Sequence, residues 1–180
     1  MATTTAGSKQ SEELKRNLFS TDNAVVMRAL LKCSEKGTAE MIEPLLALYA
    51  TTTEETFKAE INRMLSQLKV TGVEDAFMNA LVSQDKQHMI KDILTFMWNS
   101  GVQPVAHVAA ITRIAIAGTY EVALEALTLI ESMDDEIDEG ELTESIAEVT
   151  IYLGENAQND HTRLMQEYLR ELQFKADNLE

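Results

Sequence analysis

Thr52–Leu68, TTEETFKAEINRMLSQL, places Phe57, Ile61, Met64, Leu65 and Leu68 at the i, i+4, i+7, i+8, i+11 spacing of a single helix face. Thr52 and Glu55 stand in the arrangement of a capping box, which starts such a helix by satisfying its free amides. The same face recurs along the chain. Val25, Phe57, Met89 and Val122 are 32, 32 and 33 residues apart, and the spacing repeats for Ala29, Ile61, Ile93 and Ala126 and for Cys33, Leu65, Met97 and Ile130. A register held at three apolar positions through four cycles describes stacked copies of a small helical unit, each too small to bury its own apolar face.

Between these helices the spacing predicts returning partners. Asp22 can cap the first repeat helix and Gly37 suits its exit. The partner from about Ala39 to Ala50 turns Met41, Ile42, Leu45, Leu46 and Tyr49 inward, and Pro44 inside it predicts a kink or a delayed start. The chain turns near Gly72, and the returning helix carries Ala76, Phe77, Ala80 and Leu81 on its inner stripe. Asp85 opens the third pair, Ser100 and Gly101 stop its first helix, and Pro104 takes the first-turn position of the next, which ends at Gly118. Thr119 starts the fourth pair, and an acidic loop from Asp134 to Gly140 precedes its return. Strand-like alternation is absent, so the expected class is all-α: a right-handed α-solenoid of about four helical hairpins with capping helices at Ser11–Phe19 and from Asp160. The expected organisation is a flexible segment over 1–10, one repeat domain over 11–176 and a flexible end over 177–180.

The segment IEPLLAL at 42–48, followed by TEETFK at 53–58, resembles the pattern of HEAT-like repeat proteins, in which a proline-bearing helix leads through a turn into an apolar-basic helix start. The resemblance covers roughly residues 20–155. Where the family often carries an Arg after the first apolar residue, this chain has Val26, Lys58, Ile90 and Ala123, so apolar packing rather than a polar ladder is expected to hold the stack. The resemblance implies a convex row of first helices and a concave, partner-facing row of second helices. Its outward positions then read Glu43, Asp75 and His107, with Ala47, Asn79, Ile111 and Glu144 one turn later.

The net charge of −15 is unevenly placed. Residues 1–113 nearly balance, with 12 Lys and Arg against 13 Asp and Glu, whereas residues 114–162 hold 13 acidic residues and no Lys or Arg. Phosphate neutralisation needs clustered cations, so nucleic acid is not an expected ligand. Asp134, Asp135, Glu136, Asp138, Glu139 and Glu144 are instead candidates for attracting a basic protein. Asp135–Ile146 places Gly140 as a calcium loop would, but Ile137 and Ile146 stand where the third and twelfth ligands belong. His88, His107 and His161 fall at no metal-ligand spacing, and no local nucleophile, phosphate loop or zinc motif can be assembled. No catalytic residue, metal or cofactor is therefore expected.

Trp98 matches Ser34, Ser66 and Glu131 in the register, which predicts an indole that is at least partly exposed and a candidate interface anchor. Met1–Gln10 lacks the apolar core of a secretory signal, and the lone Cys33 falls in the apolar register, which together suggest a reducing cytosol and a buried thiol. No stretch is apolar enough to span a bilayer. The expectation is a cytoplasmic, non-enzymatic scaffold that binds a protein or peptide in its concave groove, with sequestration of a basic partner through 131–148 as the alternative.

Overall fold

A computed structural model describes residues 3–36 and 38–179, with the side chains of 3–8 and 36 excepted. All regular structure among them is helical: α1 Thr3–Leu18, α2 Asn23–Lys36, α3 Ile42–Thr51, α4 Glu55–Leu65, α5 Val73–Val82, α6 Ile90–Ser100, α7 Val108–Ala117, α8 Tyr120–Glu131, α9 Glu139–Glu155 and α10 Asp160–Asp177. Short 3₁₀ turns at Ala39–Met41, Gln84–Met89 and Val105–His107 lead into α3, α6 and α7. The chain divides into two compact units, Met1–Ala80 and Leu81–Glu180, the division falling in the last turn of α5. Gly37, the expected exit of α2, lies outside the described residues, and α1 begins well before Ser11.

The sequence register is a register of burial. Ala29, Ile61, Ile93 and Ala126 are all buried, and so are Cys33, Leu65, Met97 and Ile130; of the first set, Phe57 and Met89 are buried and Val25 and Val122 half-buried. Asp22 caps α2 as expected, its carboxylate accepting from the Ala24 amide at 2.8 Å. Pro44 sits in the first turn of α3, after the 3₁₀ turn at Ala39–Met41, so its missing N–H is one that a helix start leaves unpaired in any case. The start of α4 differs from the expected capping box. Glu54 is the cap residue, and the Thr52 hydroxyl accepts from the Glu54 amide at 3.2 Å instead, because the extended stretch runs two residues further before the helix winds.

The same packing rule holds inside each unit. In the first, α1 packs on α3 and α2 on α4; in the second, α6 packs on α8, α8 on α10, and α7 on α9. Helices two apart thus form rows, and the two rows share an apolar core. Among successive helices the closest packing joins α1 to α2, α3 to α4, α7 to α8 and α9 to α10. These are the pairs whose intervening segments are shortest, so the tight hairpins fall across the boundaries of the sequence repeat rather than within it. Between the rows of the second unit, the Thr112 and Tyr168 hydroxyls share a fully buried hydrogen bond of 3.2 Å. Burial pushes the Tyr168 hydroxyl pKa upward, so it stays protonated and its polar atom remains satisfied.

Two glycines shape the second unit. Gly101 takes φ 73°, and the Val102 amide reaches the Met97 carbonyl at 3.2 Å while Gly101 N–H reaches Trp98, the paired bonds of a Schellman ending to α6. Gly118 has ordinary φ but no room: a methyl there would stand 2.6 Å from Val122 Cγ1 and 2.8 Å from the Ile114 carbonyl oxygen. It permits the short α7–α8 turn, after which Thr119 caps α8 by accepting from the Val122 amide. Gly118→Ala should therefore lower stability by about 1–3 kcal/mol through overpacking. Gly154→Ala, in α9 with nothing near a new methyl, should raise it by about 0.5–1 kcal/mol. Thermal unfolding of the two variants followed by circular dichroism checks the opposite signs.

Cys33 is 1% exposed, and burial pushes its thiol pKa up to about 11. Thiolate is then scarce and shielded at neutral pH. Alkylation of the native chain by iodoacetamide at pH 8 should be negligible and should become complete on adding denaturant. Rapid labelling of the folded chain would contradict the packing described.

Candidate binding groove and acidic loop

An open apolar groove of about 600 Å³ lies in the second unit. Its lining comes from the end of α5 with Leu81 and Val82, from Gln87 and Ile90 before and at the start of α6, from the outer stripe of α7, and from the Gly118 turn with Val122 of α8. Val82 is 60% exposed, Ile90, Ile114 and Val122 are half-buried, and the small side chains of Ala110 and Ala117 keep the space hollow. The turn beside it is fixed by Asp85. The ammonium of Lys86 at 2.8 Å and the Ser83 hydroxyl hold that carboxyl down at about 2. Among the described residues the groove's one charged lining residue is Arg113. Its guanidinium donates to Glu148 Oε1 at 2.7 Å and pairs with Glu144 on α9, so the wall is locally neutralised before any ligand arrives.

The expected outward residues are placed as follows. Glu43 on α3 and Asp75 and Asn79 on α5 are exposed, and their stripe continues one turn on to Val82. In α7 the phase differs. Ile111 is fully buried and is withdrawn as a surface residue; the outward stripe reads Ala106, Ala110, Arg113 and Ala117, one residue earlier than a strict 32-residue period puts it. The offset is already present inside the 3₁₀ turn at Val105–His107, where Ala106 is exposed and His107 half-buried, and α7 continues it. His107 is half-buried at the entry to α7 and is engaged within the fold. Trp98 is half-buried, and its indole N–H donates to Glu125 Oε2 at 2.8 Å across to α8. Its polar edge is already satisfied within the fold.

Asp134, Asp135, Glu136, Asp138 and Glu139 are brought together at the α8–α9 connection, all exposed. The connection is tied down by residues that sequence reasoning did not single out. The Gln103 side chain accepts from the amides of Asp134 at 2.8 Å and Asp135 at 3.3 Å, and donates to the Ser132 carbonyl at 3.2 Å. Lys175 Nζ donates to the Met133 carbonyl at 2.9 Å, while Met133 and Ile137 turn into the core. Asp138 accepts from the Gly140 and Glu141 amides, which makes the residues resembling a calcium loop the N-cap of α9. Glu141 in turn accepts from the Ala109 amide at 2.8 Å, capping α7 from its neighbour in the row. Among the described residues no group of three or more His, Cys, Asp or Glu could hold a metal ion. Asp134, Asp135, Glu136 and Glu139 form no ion pair with any described cation.

The signals for the missed residues differ. Val82 is readable as an apolar residue on an otherwise polar outward stripe, and Phe174 as an aromatic off the Leu164–Tyr168–Leu172 stripe of α10. Gln103 carries none, because its partners stand 29 to 32 residues away.

No family model, curated protein or solved structure matches this chain. Among the described residues no helix is long and apolar enough to cross a membrane.

Gln103→Ala should leave two amides and a carbonyl without their side-chain partner, at about 0.5–1.5 kcal/mol for each lost bond. Hydrogen exchange should accelerate at Asp134 and Asp135 while the centre of α8 keeps its protection. Equal acceleration in both places would mean that Gln103 supports the whole unit rather than the loop.

Proposed function

We propose that this chain is a non-enzymatic, HEAT-like protein-binding module of the cytoplasm, and that its second unit receives the apolar face of a partner's helix in the groove lined by Val82, Ile90, Ile114 and Val122. The observation that carries this reading is the groove itself, open in the second unit with Val82 60% exposed. Apolar surface held in water costs about 25 cal/mol per Å², and a concave apolar patch is where a partner gains that energy back.

Wall chemistry favours a helix over an extended peptide. The lining offers few donors or acceptors beyond Gln87, Thr119 and the already engaged Arg113, so an extended segment would leave its own amides and carbonyls unpaired over hydrocarbon. A helix brings its backbone bonds with it and presents side chains at i, i+3, i+4 and i+7. The small residues Ala110, Ala117 and Gly118 suit a branched aliphatic anchor reaching between α7 and the start of α6.

Capture from cell extract by wild type and by Val82→Glu, at low and at high salt, tests the reading. Val82 is exposed, so the variant should fold normally, which circular dichroism verifies. The expected result is a partner retained by wild type at high salt and lost from Val82→Glu by about tenfold or more. A partner held equally by both proteins, or released from wild type by salt alone, would remove the groove as the binding surface.

A further inference from the structure

The hollow between the α8–α9 connection and the end of α10 points to a second docking surface. We infer that it takes a basic amphipathic helix carrying an apolar anchor flanked by Lys or Arg. Phe174 stands 62% exposed there, beside Ile137 and Leu179 in a depression of about 370 Å³. A neighbouring depression of about 390 Å³ shares Glu136, Ile137 and Leu179, so the apolar floor continues under the acidic rim.

Charge selects the occupant. Asp134, Asp135 and Glu136 line the Phe174 depression, and Glu139 the adjoining one, with none of the four in an ion pair among the described residues. Among the described residues the only cation lining either is Lys175, which is engaged with the Met133 carbonyl and with Glu171 at 3.4 Å. That engagement shows the floor already accommodating one ammonium of the chain itself. A nucleic acid or an anionic membrane would be repelled. A second copy brings a net charge of −15 with it and is disfavoured for the same reason. A cationic segment gains on contact, and Phe174 gives it an apolar grip that salt does not screen. The Gln103 bonds hold Asp134 and Asp135 in place beforehand, so little ordering of the loop opposes binding. This surface does not depend on the α7 groove.

Fluorescence anisotropy on the full chain tests the inference with three labelled synthetic helices: one with Lys on one face and Leu on the other, one with Glu replacing Lys, and one with Ser replacing Leu. On the full chain carrying Val82→Glu, which closes the groove, the Lys/Leu helix should bind and the other two should not. The triple variant Asp134→Asn, Asp135→Asn, Glu136→Gln should weaken it by about tenfold at low salt, and Phe174→Ser by a similar factor that persists at high salt. Neutralising Glu13, Glu35 and Glu54, three exposed carboxylates of the first unit, should change it by less than about twofold. With the groove closed by Val82→Glu, the binding that survives belongs to this surface, which separates it from the groove. The inference is overturned if the Lys/Leu helix fails to bind, if Lys/Ser binds as well, or if the first-unit neutralisation costs as much as the loop triple. It is overturned equally if sedimentation shows self-association that Phe174→Ser abolishes, since the patch would then join two copies.

Discussion

Each helix of this chain carries one apolar stripe, and no single neighbour can cover it. The stripe of α8, with Ala123, Ala126, Leu127 and Ile130 all buried, needs α6 and α10 beside it and α7 behind it. The i to i+2 packing inside each unit follows from that shortage, and so do the two rows. The remaining features are accommodations to it. Short turns must let successive helices approach, which is why Gly118 has no space for a methyl, and helix ends left inside the stack must find partners from the neighbouring helix of their row, which is why Glu141 of α9 caps α7.

Much of this was legible from residue spacing because burial periodicity and capping are local. Asp22, Thr119, Gly101 and the buried register positions all act within a few residues of themselves. What was not legible is phase. α3 and α6 follow 3₁₀ turns and keep the expected buried faces, whereas from the turn at Val105–His107 onward the outward stripe falls one residue early. Ile111 shows the consequence, since an apolar residue that a strict period turned outward is one of the best buried in the chain. Thr52 shows the same at a helix start, where a plausible cap pair is displaced by two extended residues.

The candidate surfaces divide along the same line. The acidic loop could be found by counting charge, and its exposed carboxylates stand where the sequence put them. Its rigidity could not, because Gln103 and Lys175 reach it from distant positions with side chains common on any surface. The groove was harder still. It is made by what is small rather than by what is present, and alanines at 110 and 117 look identical in sequence whether a neighbour fills the space or not.

The absence of Lys and Arg from 114–162 puts a constraint on folding that also locates the free charge. Thirteen carboxylates in one stretch repel each other, so the fold must find partners for them elsewhere. Arg113 answers Glu144 and Glu148, Arg163 answers Asp160, and the Trp98 indole answers Glu125. Helix starts take up others: Asp138 and Glu141 accept amides of α9 and α7, and the carboxyl of Glu121 is held below its ordinary range by its own backbone amide and the Thr119 hydroxyl. Once these are assigned, six carboxylates have no such partner among the described residues, and three consecutive ones, Asp134 to Glu136, stand next to the most exposed aromatic ring of the unit. Charge that folding consumes says little about function. Charge that it leaves over, held rigidly by Gln103 beside Phe174, is surface available to a partner.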